Sequence, residues 1–329
     1  MQSKSNNSLI KVRQLTKRFD KLIAVNDISF EVFKGELFGF LGPNGAGKTT
    51  TINMLTGLAR PDSGSIEISG LDCSKNPKLA QHLIGIVPDE SNLYPELTGY
   101  DNLCFCASLY GMRKHEREER ARDLLEKFGL SDAANRKFAG YSKGMKRKLT
   151  IAAGIIHRPE ILFLDEPTTG IDVASARQIR QLIANLHDSG TTIFLTTHYI
   201  EEAERLCQRI GFIVQGKIVR IDTVISLLQP IQKKHTMVIS VLHPDEGLHH
   251  KLISEFPEYS IELVSKGQFR IVSEKVINIG PLVRCIEETG GEVSEARRIR
   301  PSLEEVFVNI TGIELNAMKK EKQKNGRSS

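Results

Sequence analysis

Between residues 9 and 222, short apolar runs alternate with segments whose apolar residues recur at helical spacing, which predicts an α/β core around a mostly parallel sheet. Strands are expected at 9–14, 28–32, 36–41, 65–69, 84–87, 161–164, 192–196, 209–214 and 217–221. From 99 to 157 no strand pattern is evident; Glu118 to Phe128, for example, stacks its apolar positions on one helical face. A helical subdomain, about 89–157, is therefore expected as an insertion into the 9–222 domain.

Thr223–Leu228 is helix-like and Gln229-Pro-Ile-Gln-Lys-Lys234 reads as a linker, so 223–234 should join two modules. The second, 235–312, gives strand 236–242, helix 246–256, strands 259–265 and 268–273, helix 278–289 and strand 291–297. That β-α-β-β-α-β order resembles a ferredoxin-like domain, although a looser regulatory fold gives a similar string. Regulation or dimerisation is its expected role. The polar residues 1–8 and the basic residues 313–329 are expected to be disordered ends.

Composition narrows the function classes. With 329 residues, 40% hydrophobic and 26% charged, the chain has the make-up of a soluble globular protein with a large core and two domains. Its net charge of +5 is concentrated in the tail, where five basic residues oppose two acidic ones and leave only +2 for the rest. The body is thus not a nucleic-acid binder; attraction of the tail to anionic lipid is the lesser reading beside a solvated end. Met1–Ser8 lacks the apolar core of a secretory signal, and no run approaches the roughly 18 apolar residues of a membrane helix. A membrane role would require a partner. Cys73, Cys104, Cys106, Cys207 and Cys285 are odd in number and unpaired in spacing, suiting buried thiols in a reducing cytoplasm. His243, His249 and His250 read as solvent-exposed histidines near a helix start rather than metal ligands.

The chemistry centres on Gly42-Pro43-Asn44-Gly45-Ala46-Gly47-Lys48-Thr49, a full match to the phosphate-cradling loop, lying between the apolar strand 36–41 and a helical segment from Thr49. Its glycines let successive N–H groups point inward at the positive end of a helix. Lys48 would reach the β- and γ-phosphates of a nucleotide, and Thr49 would ligate Mg²⁺. Ile161-Leu-Phe-Leu-Asp165-Glu166 then ends an apolar strand in two acids, 117 residues beyond Lys48. Asp165 is the candidate metal holder and Glu166 the candidate group that orients the attacking water. Upstream, Tyr141-Ser142-Lys143-Gly144-Met145 opens a helix with Ser142 as N-cap, a second anion site that suits another subunit. Lys143, Lys146, Arg147 and Lys148 read as a solvated face.

In order and spacing these motifs resemble the ATP-binding subunit of an ABC transporter. The phosphate loop is at 42–49, the signature at 141–145, Walker B at 161–166, the D-loop at Gly170-Ile171-Asp172 and the switch histidine at His198. Thr196-Thr-His-Tyr-Ile-Glu-Glu-Ala203 and Pro301-Ser-Leu-Glu-Glu-Val-Phe307 are similar to the daunorubicin-resistance branch. The resemblance implies a P-loop ATPase that hydrolyses MgATP for a separately encoded permease, as a head-to-tail dimer at the cytoplasmic face of the membrane. It implies that residues 42–50, including Thr50, bind phosphate. Phe19 would stack on adenine, unless it is a core residue, with Val25 beside the ring or ribose. His198 would hold the γ-phosphate, and Ser142, Lys143, Gly144, Met145 and Asp172 would act on the partner's nucleotide. Loop 89–100 would receive the permease's coupling helix. Three positions depart from the family: the signature carries Tyr141, Lys143 and Met145; the D-loop carries Gly170-Ile171; and Asp89 stands where a metal-linked glutamine is usual. A non-transport ABC ATPase of translation or DNA repair, and an importer ATPase, remain the alternatives.

Overall fold

The computed structural model describes residues 8–232, 235–299 and 302–313. The chain divides into two compact units, Met1–Val224 with Phe307–Ser329, and Ile225–Val306. In the first, the elements run β1 (Ser8–Phe19), β2 (Leu22–Phe33), β3 (Leu37–Leu41), α1 (Lys48–Leu55), β4 (Ser63–Ile68), β5 (Leu71–Asp72), α2 (Pro77–Leu83), β6 (Ile84–Val87), α3 (Gly99–Leu109), α4 (Lys114–Lys127), α5 (Lys143–Gly154), β7 (Ile161–Asp165), α6 (Val173–Asp188), β8 (Thr192–Thr197), α7 (Ile200–Leu206), β9 (Arg209–Val214) and β10 (Lys217–Thr223). There follow α8 (Val224–Gln232), β11 (His235–Leu242), α9 (Leu248–Glu255), β12 (Ser260–Ser265), β13 (Gln268–Ser273), α10 (Ile279–Glu288), β14 (Glu292–Ile299) and α11 (Leu303–Thr311).

The first unit carries two sheets rather than one. Six strands in the order β10-β9-β3-β8-β7-β6 form the central sheet, parallel except at the β9–β10 edge. Every residue of β3, β7 and β8 is buried, as expected of strands covered on both faces. The other sheet, β2-β1-β4-β5, is antiparallel, and β2 starts at Leu22, six residues before the expected strand. Phe30 of β2 stacks on Phe38 and Phe40 of β3, and Phe194 of β8 packs against all three. Burying such a ring contributes about 1.5–3 kcal/mol. This aromatic seam fastens the antiparallel sheet to the parallel one and fixes the strand ends on which the site is built. Helices α3, α4 and α5 make the inserted helical layer, with α3 packed on both α4 and α5.

The second unit has strand order β12-β13-β11-β14 with every neighbouring pair antiparallel. With α9 and α10 as its crossovers this is the split β-α-β topology of a ferredoxin-like domain. Its core gathers Met237, Ile239, Leu252, Phe269, Ile271 and Leu282.

Several expectations need correction. The proposed linker 223–234 is the end of β10 followed by helix α8 as far as Gln232, with Pro230 inside it; residues 233–234 lie outside the described residues. The second module starts at Ile225 rather than 235 and stops at Val306 rather than 312, because Phe307 packs edge-on against Phe212 of β9. Ser8 belongs to β1, whereas residues 1–7 and the tail from 314 lie outside the described residues. Cys207 and Cys285 are buried, but Cys73, Cys104 and Cys106 are half-buried. His249 is half-buried too, with Nε2 3.2 Å from the Ile261 carbonyl.

Candidate functional site

Strands β3, β8, β7 and β6 are parallel neighbours, so their C-terminal ends share one edge, the edge at which open α/β sheets hold ligands. Each delivers one motif there: loop 42–47 follows β3, His198 follows β8, Asp165 and Glu166 end β7, and Asp89 follows β6. Residues far apart in the chain thus meet around a cavity of about 320 Å³ lined by Phe19, Asn44, Gly45, Gly47, Lys48, Thr49, Thr50, Asp89, Glu166 and His198.

The loop is built for an anion. Gly47, at φ 104°, caps α1 without a side-chain hydrogen bond, so the cap residue supplies no acceptor to the first-turn N–H groups of that helix. The Lys48 ammonium is buried and donates to the carbonyls of Gly42 at 2.8 Å and Pro43 at 3.2 Å. It also lies 3.3 Å from Glu166 Oε1. Thr49 donates its hydroxyl to Asp165 Oδ2 at 3.0 Å, and Asp165 Oδ1 accepts from Thr196 Oγ1. A threonine hydroxyl beside an aspartate is the hard oxygen set that suits a magnesium ion.

Glu166 is the most constrained residue of the site. Its φ of 50° puts a non-glycine residue in the left-handed region, held there because its N–H donates to the Thr196 carbonyl at 3.0 Å. Oε2 accepts from His198 Nδ1 at 2.6 Å and from Thr169 Oγ1 at 3.1 Å. Burial pushes the carboxyl pKa upward, but the His198 hydrogen bond, the charge of Lys48 and the Thr169 hydroxyl outweigh it and hold the group below the usual glutamate value. The carboxylate stays ionised, ready to accept.

Phe19 is half exposed over the cavity, with the Lys17 ammonium 5.4 Å from its ring centre. Val25, expected beside the ring, is fully buried; Leu22 and Ala24 line the cavity instead. The cause is the strand alternation of β2, which turns Val25 into the core. Ala46 is also buried beneath the loop. Of the signature, Ser142 caps α5 by accepting from Met145 N at 3.3 Å, and Gly144 is buried where an added Cβ would lie 2.5 Å from Ser175 Oγ. Asp172 caps α6 through Ser175 N, which holds its carboxyl below the usual value. None of Ser142, Lys143, Gly144, Met145 and Asp172 lines the 320 Å³ cavity; Lys143 lines a neighbouring one of about 430 Å³ with Asp89, Arg147, Thr169 and Gly170.

Sequence reasoning missed Thr169, Thr196 and Arg147. Thr196 was visible beside the switch histidine and Thr169 just after the Walker B acids, but nothing in either spacing shows that their hydroxyls hold those acids. Arg147 corrects an expectation outright: only 7% exposed, it is not on a solvated face, and it donates to the carbonyls of Pro88 and Asp89.

Residues 25–169 match the ABC transporter family model. The linearmycin resistance ATP-binding protein of Bacillus subtilis is 37% identical over 318 residues, covering 92% of this chain and 98% of that protein. This chain belongs to the ABC transporter ATP-binding proteins. The Nod factor export ATP-binding protein I of Burkholderia thailandensis is 36% identical over 93% of this chain and 98% of its own length. The daunorubicin resistance ATP-binding protein of Streptomyces coeruleorubidus is 33% identical over 93% and 96%. A solved dimeric ATP-binding cassette in a post-hydrolysis state with ADP and phosphate superposes with a TM-score of 0.60 at 27% identity, over 65% of this chain and 98% of that one. The ABC protein described here is accordingly an ATP-binding ATPase subunit, related along nearly its whole length to drug-resistance ATP-binding proteins. Among the described residues no helix is long and apolar enough to cross a membrane.

Proposed function

We propose that this ABC subunit binds MgATP in the 320 Å³ cavity and hydrolyses it to drive export through a separately encoded permease. It would work at the cytoplasmic face of the membrane, paired head to tail with a second ATPase copy. The observation that carries this reading is the Lys48–Glu166–His198 cluster, with the Thr49–Asp165 pair beside it, at the shared strand edge. The names of the relatives support export, and the dimeric cassette supports pairing.

Bound MgATP would supply the phosphoryl group and the metal charge that offsets it; Thr49 and Asp165 would hold the metal. Lys48 has its donors on the Gly42 and Pro43 carbonyls and beside the Glu166 carboxylate, so engaging phosphate oxygens exchanges two neutral acceptors and one charged one for acceptors that are all charged. Departure of Lys48 releases Glu166 Oε1 to accept a hydrogen bond from water. His198 and Thr169 keep Oε2 in place, so the carboxylate presents one oriented oxygen and would take the water proton as the water oxygen bonds the γ-phosphorus and the bond from that phosphorus to the β–γ bridging oxygen breaks, with ADP leaving. Phe19 offers a ring face for the base. Ser142 and Lys143, outside this cavity, are read as groups for the partner's γ-phosphate.

Vanadate-sensitive phosphate release from the purified chain tests the reading. Lys48→Ala should weaken ATP binding about 10–100-fold through loss of charge-assisted bonds. Unchanged ATP affinity in that variant would refute the nucleotide assignment.

A further inference from the structure

Helix α5 turns one face into the protein, and that face carries Gly144, Arg147, Thr150 and Ile151, all buried and spaced at three and four residues. Each of its first three positions touches a different piece of the site. Gly144 abuts Ser175, the residue capped by Asp172. Thr150 Oγ1 lies 2.9 Å from Ser91 Oγ. Between them the Arg147 guanidinium donates to the Pro88 carbonyl at 2.6 Å and the Asp89 carbonyl at 2.5 Å, and its Nη2 lies 3.6 Å from Asp89 Oδ1.

Burying a guanidinium is costly, and an apolar side chain of similar volume serves packing as well or better. What the arginine adds is direction: two donors on two consecutive carbonyls fix the orientation of both peptide planes, and with them the side chain of Asp89, which lines the nucleotide cavity. Burial lowers the guanidinium pKa from the usual arginine value, and the surrounding Asp89, Asp165, Glu166 and Glu202 carboxylates offset only part of that.

Resting on the MgATP reading above, we propose that Arg147 is a positioning residue that clamps Pro88–Asp89 to the signature helix. The clamp stands Asp89 at the metal side of the cavity and makes loop 88–91 travel with α5. Displacement of the helix that begins at Ser142–Gly144 is then felt at the metal side, and the reverse, without any residue of α5 touching the cavity.

The test compares wild type with Arg147→Met, which keeps volume, and Arg147→Lys, which keeps charge but not the two-pronged contact. Amide exchange is read first, on nucleotide-free protein. The clamp predicts at least tenfold faster exchange across 88–93 in Arg147→Met, a smaller rise in Arg147→Lys, and unchanged exchange in β7 and β8. Unchanged exchange at 88–93 in both variants would overturn it, as would a uniform rise throughout the unit, the mark of a merely structural arginine. The magnesium midpoint for binding a fluorescent ATP analogue is read next. Arg147→Met should raise it about threefold or more in the wild-type background and leave it unchanged in Asp89→Ala. An equal shift in both backgrounds would show that Arg147 does not act through Asp89. Wild-type protein that binds no analogue would refute the nucleotide reading instead, a failure distinguishable because exchange is measured without nucleotide.

Discussion

Replacing Gly42, Gly45 and Gly47 one at a time by alanine separates two reasons for a glycine that sequence alone treats as equal. Gly45, at φ 75°, has nothing within 4 Å of an added Cβ. Its alanine variant meets only the left-handed backbone cost of about 1–2 kcal/mol, offset by about 0.4–1 kcal/mol of unfolded-chain entropy. Gly42 has an ordinary φ, but its Cβ would stand 2.1 Å from the Ile213 carbonyl oxygen, where normal contact begins near 3.4 Å. Backbone must move by more than an ångström, and overpacking of that kind costs about 3 kcal/mol. Gly47 meets both penalties, with φ 104° and a Cβ 2.4 Å from the Ala24 carbonyl oxygen; their sum is about 4 kcal/mol. At about 2–4 °C per kcal/mol, Gly45→Ala should melt within about 6 °C of wild type, while Gly42→Ala and Gly47→Ala should fall by about 6–16 °C. The chain has no tryptophan, so melting is best followed by far-ultraviolet circular dichroism. Gly42→Ala melting within 2 °C of Gly45→Ala would refute the close-approach reasoning.

Asp89→Asn keeps length and removes charge, and should shift the magnesium dependence of ATPase activity; an unchanged midpoint and turnover would make Asp89 a bystander. Phe307→Ala should destabilise the first unit by about 3–5 kcal/mol, because the ring is fully buried against Phe212, and a loss below 1 kcal/mol in melting would contradict that packing. His157 stacks on Tyr110, and burial lowers its pKa from 6.5 to about 4. The unfolded chain therefore takes the proton first as pH falls, so stability drops from pH 6.5 and levels off below 4. Replacement by phenylalanine should flatten the melting curve's pH dependence in that window, and an unaltered slope would refute the assignment.

The candidate catalytic row was legible because each of its members sits where a strand ends, and strands of the central sheet announce themselves as unbroken apolar runs. Asp165, Glu166 and His198 needed only that punctuation and their spacing from Lys48. Less legible was everything fixed by register between distant segments. Val25 differs from Ala24 only in which face of β2 it occupies, and the early start of that strand at Leu22 was hidden by a weakly patterned stretch. Arg147 sits in a run of cations that reads as one solvated face, yet helical geometry turns that single position inward. The helix α8 was masked by Pro230, which in isolation argues for a linker. Phe307 joins the first unit through a contact made across nearly a hundred residues of chain, a distance at which periodicity carries no information.

The central claim is that Glu166, held by His198 and Thr169 and freed from Lys48 by the nucleotide, activates the water that cleaves ATP. The most direct measurement is single-turnover phosphate release by Glu166→Gln alongside its ATP affinity. The amide preserves size and loses the proton acceptor, so affinity should stay within a few-fold of wild type while release slows about 100–10,000-fold. Release at the wild-type rate, with ATP bound, would remove Glu166 from the chemistry and contradict the account.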